Sequence, residues 1–195
     1  MNHLWAAVAA TAAFAVPCIA VAQDDGISQF EAFCATPDSD LQGAMDRALR
    51  AGFSPPTKDI AARMPAILPN IQNQRVALRE TTKLPTFIVT GSAPFDPVPG
   101  TTADICSIGQ RAVDATAEDE LKRWLGVPLI QMGPQAFFVF RQTSAGRVAV
   151  SQDASEEDLV RFSKSGELRL VATQSDDQQT VFIFIRIKLA DHPAP

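Results

Sequence analysis

The chain has 195 residues, 46% of them hydrophobic and 20% charged, with a formal net charge of −5. This is an ordinary globular composition, mildly acidic and without Lys/Arg clusters, which excludes nucleic acid and an anionic membrane surface as expected partners. Three cysteines, two histidines and no tyrosine restrict both the cross-links and the chemistry open to it.

Residues Leu4 to Ala22 carry no charge, and Ala20-Val21-Ala22 forms an A-x-A step before Gln23-Asp24-Asp25. The pattern predicts a secretory signal peptide over residues 1–22 and a periplasmic or secreted mature chain. An uncleaved anchor competes with this reading, because the run approaches the ~20 apolar residues that span a bilayer core. A lipoprotein would carry its lipid on Cys18. Ala15 and Pro17 stand where a leucine-like residue and a small residue are needed, and proline obstructs the extended backbone that a peptidase reads. Cys18 is expected to leave with the leader. Cys34 and Cys106 then form an even pair, expected as one disulfide in an oxidising compartment. It would close a loop of about 70 residues and contribute on the order of 4 kcal/mol in the chain-entropy model. Two free thiols or a redox or metal role are the alternatives. Cys-x-x-Cys is absent, and no histidine lies near either cysteine.

Residues 23–195 are long enough for a single globular domain. In "FEAFCATPDSDLQGAMDRALRAGFSPP" a short helical turn breaks at Pro37, and a helix follows with Asp38 or Ser39 as its cap. Leu41, Met45, Ala48 and Leu49 share one face, and Gly52-Phe53 stops the helix. Lys58 to Leu68 is ambiguous, since Pro65 and Pro69 cut the face of Ile60, Met64 and Leu68. "QRVALRE" and "PTFIVTG" read as a hairpin, "SAPFDPVPG" as an irregular excursion, and "TADICSIG" as a strand holding Cys106. "ATAEDELKRWLG" is a helix with an acidic first turn, a basic last turn and a closing Gly126. "QAFFVFRQ" and "RVAVSQD" form a second hairpin, and Ser155-Glu156-Glu157-Asp158 opens a short helical piece. "ELRLVATQ" and "QTVFIFIRIK" form the third hairpin. Val181, Ile183, Ile185 and Ile187 line one face of its last strand, and Phe182, Phe184, Arg186 and Lys188 the other. The first half of that strand is expected to be covered on both sides. A tail from about residue 190 is expected to be loose. The fold class is therefore α+β, with an N-terminal helical segment before an antiparallel, hairpin-rich sheet. One or two helices are inserted, and the helices lie on one face.

The catalytic inventory is thin. The mature chain has one histidine, His192, in the tail, where no imidazole can be held beside a nucleophile. G-x-G-x-x-G, P-loop, G-x-S-x-G and S-x-x-K motifs are missing, so no cofactor, metal or catalytic residue is expected. Glu118-Asp119-Glu120 and Glu156-Glu157-Asp158 sit at helix starts, where carboxylates stabilise free amides. Asp176-Asp177 reads as a turn, and Asp153 lacks a calcium-loop spacing. Two apolar stretches are candidate partner contacts. "WLGVPLIQMGPQ" holds Trp124, Leu129, Ile130 and Met132, which either plug the end of the sheet or form a contact loop. "TGSAPFDPVPGTT" carries Phe95 among prolines, as an ordinary hairpin loop or as a rigid recognition loop.

Phe30 with Cys34, Ala44 and Ala48 before Gly52-Phe53, Cys106 in a strand, Trp124-Leu125-Gly126 and Gly166-Glu167-Leu168-Arg169 resemble a set of uncharacterised exported proteins of proteobacteria. The resemblance implies an exported, disulfide-tied domain and no particular activity. The expected function is a non-enzymatic binding or interaction protein of the cell envelope. Its partner is an unknown protein or small molecule, without nucleic acid and without membrane contact after signal cleavage. A carboxylate-dependent hydrolase of envelope polymers is the alternative, and a membrane-anchored scaffold the second.

Overall fold

The computed structural model describes residues 26–36, 40–63, 71–80, 86–95, 98–110, 113–132 and 135–190. Gly26–Phe33 (α1), Leu41–Arg50 (α2) and Lys58–Arg63 (α3) precede the strands Gln72–Arg79 (β1), Thr86–Pro94 (β2) and Thr101–Gln110 (β3). Ala117–Leu125 (α4) leads into Leu129–Met132 (β4), Gln135–Thr143 (β5) and Gly146–Ala149 (β6). Glu156–Lys164 (α5) and the hairpin Leu168–Ser175 (β7) and Thr180–Leu189 (β8) complete the order. The strands form one sheet, β1-β2-β3-β8-β7-β5-β4, with β6 pairing β5, and every pairing is antiparallel. The α+β class with a hairpin-rich sheet is therefore the observed one. The last strand of the chain inserts between β3 and β7, at the centre of the sheet, which is why its sequence is apolar on both faces.

One face of the sheet carries α1, α2 and α4. Phe30 of α1 is fully buried there, with ring centroids 5.7 Å from Phe182, 6.0 Å from Trp124 and 6.5 Å from Phe184. Cys34, just after α1, is disulfide-bonded to Cys106 in β3, with 5.4 Å between Cα atoms. The cross-link pins the first helix to a central strand, as the cysteine parity predicted. The cap of α2 is Asp40, whose carboxylate accepts from the Gly43 amide, whereas Asp38 and Ser39 lie outside the described residues. A left-handed Gly52 ends that turn at φ 91° and returns Phe53 to the core.

Three expectations are corrected. Helices occupy both faces, because the aliphatic face of β8 also requires cover: Leu159 and Phe162 of α5 pack with Leu168, Leu170 and Ile187. Ser92–Pro94 is not part of an excursion but the end of β2, paired with Asp104 to Thr102; proline is tolerated there because it ends the strand. Leu129–Met132 is not a loop but a strand, in register with Phe138 to Gln135. The ambiguous segment is helical over Lys58–Arg63, and residues 64–70 lie outside the described set. So do the leader with Cys18 and the tail from residue 191. No described helix is long and apolar enough to cross a membrane.

Candidate functional site

The largely apolar opening on the α5 face is the candidate site. A cavity of about 450 Å³ is floored by Val139 of β5 with Leu168 and Leu170 of β7, and walled by Leu159 of α5, Phe95 and Ile130. Native interiors leave few voids larger than a water molecule, and 300–1,000 Å³ is roughly the range of small-molecule sites. Alternation builds the floor: Leu168 and Leu170 face α5, while the alternate residues Arg169 and Val171 face the opposite layer. The backbone builds the wall opposite α5. The Phe95 N–H donates to the Thr101 carbonyl at 3.1 Å, and the Val98 N–H donates back to the Phe95 carbonyl at 3.0 Å. That turn holds the Phe95 ring against the aliphatic cluster rather than presenting it to solvent.

The first turn of α5 sets the polarity of the mouth. Ser155 caps it with a full capping box: its hydroxyl accepts from the Asp158 amide at 3.1 Å, and the Asp158 carboxylate accepts from the Ser155 amide at 3.4 Å. The Ser155 hydroxyl, followed by its amide and the Arg161 guanidinium, holds the Asp158 carboxyl below the usual carboxylate range. Glu156, in the same turn, lines the cavity and is exposed, as are Gln131 and Gln152. The mouth therefore offers one carboxylate and two amides above an apolar interior. Farther along, the Arg141–Glu167 ion pair at 2.7 Å and the Arg141 guanidinium 4.4 Å from the Phe162 ring centroid hold α5 onto β5. An arginine stacked on an aromatic ring and forked to a carboxylate is a geometrically defined tether.

A second cleft, also about 450 Å³, opens where β5 and β7 part. Their pairing runs only from Phe138–Val171 to Arg141–Leu168, and beyond it Thr173, Phe137, Ile183, Ile185 and Glu118 line the gap. The bond from the Gln142 amide to the Glu167 carbonyl shows that odd-numbered residues of β7 turn their backbone groups toward β5. Thr173 thus faces the cleft with no ladder partner on that side among the described residues. Among the described residues, each of the two cavities is lined by a single carboxylate, Glu156 in one and Glu118 in the other. Paired glycosidase acids face each other across one cleft, which these do not. Asp176 closes the β7–β8 turn by accepting from the Gln178 and Gln179 amides at 2.8 and 2.9 Å, which lowers its pKa.

The predicted contact residues separate. Phe95 and Ile130 meet at the first cavity, Leu129 lines the second, and Trp124 packs into the helix-covered core. Arg147 stacks 4.1 Å from the centroid of the Trp124 indole and donates to the Trp124 carbonyl at 3.2 Å. Nothing is described of the Met132 side chain, although its backbone pairs with Gln135. Sequence reasoning missed Leu159, Leu168 and Leu170 as site residues, since alternating leucines announce burial but not a cavity beside them. It assigned Glu156 to a helix start, which is correct and also places it at a mouth. Comparison of the chain with family models, with curated proteins and with solved structures returned no match.

Proposed function

We propose that the chain is an exported, non-enzymatic binding protein that takes an apolar small molecule into the cavity between α5 and the sheet. The observation that carries this reading is the roughly 450 Å³ opening built from Val139, Leu159, Leu168, Leu170, Phe95 and Ile130. A ligand there gains close contacts that the opposed side chains cannot make with one another. Glu156 at the mouth disfavours a carboxylate or phosphate head, so the ligand carries a neutral hydrogen-bonding or amine end. Export is supported by the charge-free N-terminal run with its A-x-A step and by the Cys34–Cys106 disulfide.

Fluorescence titration with N-phenyl-1-naphthylamine, a neutral apolar probe, tests the proposal. Saturable, blue-shifted emission is expected. Leu170→Trp, which fills the floor, and Ile130→Asp, which charges the wall, should each weaken binding at least tenfold, roughly 1.4 kcal/mol. Absence of saturation, or equal binding by folded Leu170→Trp and Ile130→Asp proteins, would overturn it.

A second reading rests on the β5–β7 cleft. The unpartnered backbone edge at Thr173 favours an extended peptide added as a strand. Thr173→Pro removes the edge amide and would abolish capture of such a peptide while leaving the naphthylamine titration unchanged.

A further inference from the structure

The helix-covered face contains a charged row that the apolar cavity on the opposite face does not use. Across three adjacent strands, Asp104 of β3 stands opposite Arg186 of β8, and Arg186 stands opposite Arg169 of β7. Phe140 of β5 continues the row. All lie on the helix-bearing side, because Cys106, Phe184 and Val171, two residues along each strand, belong to that core. Arg169 is 7% exposed and Asp104 8%, and Arg186 is half-buried.

The charges do not balance. Asp104, the one carboxylate of the row, is bonded to Lys188, with Nζ 3.1 Å from Oδ2. Glu167, two residues before Arg169, is bonded to Arg141. Arg169 spends Nη1 on the Gly166 and Leu168 carbonyls, at 2.6 and 3.0 Å, which satisfies hydrogen bonds without supplying charge. Arg186 has a buried Nε with no hydrogen-bond partner. Neither guanidinium has an ion pair among the described residues. Like charges directly opposite on neighbouring strands repel, and buried charges are normally paired. Burial and then the neighbouring Arg186 push the Arg169 guanidinium down to about 10, against the weaker opposing pull of Asp104 and Glu167. Among the described residues, the row and its flanking side chains gather four cations, Arg141, Arg169, Arg186 and Lys188, against two carboxylates, Asp104 and Glu167, an excess of two positive charges. The side chain of Lys188 is 33% exposed and marks the solvent end.

We propose that Arg186 and Arg169 form a binding site for a phosphate-bearing ligand, whose dianionic oxygens bridge the two guanidiniums. An excess of two positive charges matches a phosphate monoester, which carries close to two negative charges at neutral pH. Guanidinium forks fit its oxygens in pairs. The site stands on the face opposite the apolar cavity and does not depend on the reading given for that cavity.

The test is a titration of the full chain with inorganic phosphate at constant ionic strength, followed by thermal shift and by the Nε–H resonances of arginine. Phosphate should raise the melting temperature saturably and move the Arg186 Nε–H signal, with acetate and chloride at least tenfold weaker. Arg186→Gln should weaken phosphate binding at least tenfold, with partial recovery in Arg186→Lys, while Ile130→Asp binds phosphate as the unaltered chain does. Equal shifts from phosphate, acetate and chloride would show simple screening and overturn the proposal. An unmoved Arg186 resonance in the unaltered protein would do the same, whether or not the variants fold.

Discussion

The two faces of the sheet are built to different specifications. The helix-bearing face is closed by three helices, a cluster of interlocking aromatic rings around Phe30, and a cross-link from Cys34 to Cys106. The other is covered by α5 beside a cavity of about 450 Å³. Both are apolar, so hydrophobicity alone does not distinguish them. What differs is the shape of the cover. Phenylalanines from α1 and β8 fill space across the layer, whereas the leucines and valines of β5, β7 and α5 leave it open. Stability is concentrated on the first face and room for an apolar partner on the second.

Breaking this contrast begins with Phe30. Phe30→Ala removes a fully buried ring from three aromatic neighbours and should cost roughly 3–5 kcal/mol by urea unfolding. The refolded variant should still bind naphthylamine. The cross-link comes next. Replacing both Cys34 and Cys106 by serine releases a constraint spanning 72 positions, with an expected loss of roughly 2–4 kcal/mol. A loss near zero would mean that helix packing alone seals that face. On the open face, Leu159→Ala trims a half-buried side chain already bordering empty space. It should cost only about 1–2 kcal/mol, below the usual 2–5 for a closed core, yet lower naphthylamine affinity.

The smallest effect is at the α5 cap. Ser155→Ala removes the hydroxyl that accepts from the Asp158 amide, at an expected cost of about 1 kcal/mol. The same hydroxyl holds the Asp158 carboxyl down. Its contribution is present at neutral pH and is lost as pH falls through the depressed value. In the variant the Asp158 titration midpoint, followed by carboxyl NMR, should rise and the acid limb of stability should flatten. A midpoint unchanged by the substitution would remove Ser155 as the cause.

Much of the closed face was legible in the sequence, and little of the open one. Cysteine parity pointed to the Cys34–Cys106 bond, and the Phe182-Phe184 alternation pointed to a strand covered twice. Gly52 and Gly126 marked helix ends that the backbone uses, at φ 91° and 67°. The open face depends on long-range placement. The run at Leu129 reads either as a plug at the end of the sheet or as a contact loop until β5 supplies a ladder for it, and Phe95 as part of an ordinary hairpin loop or of a recognition loop until the turn to Thr101 folds it inward. Alternation sets Arg169 on the face opposite Leu168 and Leu170 without saying what covers that face. Its burial follows from the central position of β7 and β8, which only the strand order reveals.

The central claim is that the α5 face accepts an apolar ligand while the helix-bearing face is closed to one. Amide shift mapping of the isotopically labelled full chain with N-phenyl-1-naphthylamine tests it most directly. The account predicts saturable shifts at Phe95, Ile130, Val139, Leu159, Leu168 and Leu170, the residues that line the cavity, with Phe30, Ala44 and Leu121 of the closed core unmoved. Shifts centred on the helix-bearing core, or no saturable shifts anywhere, would contradict it.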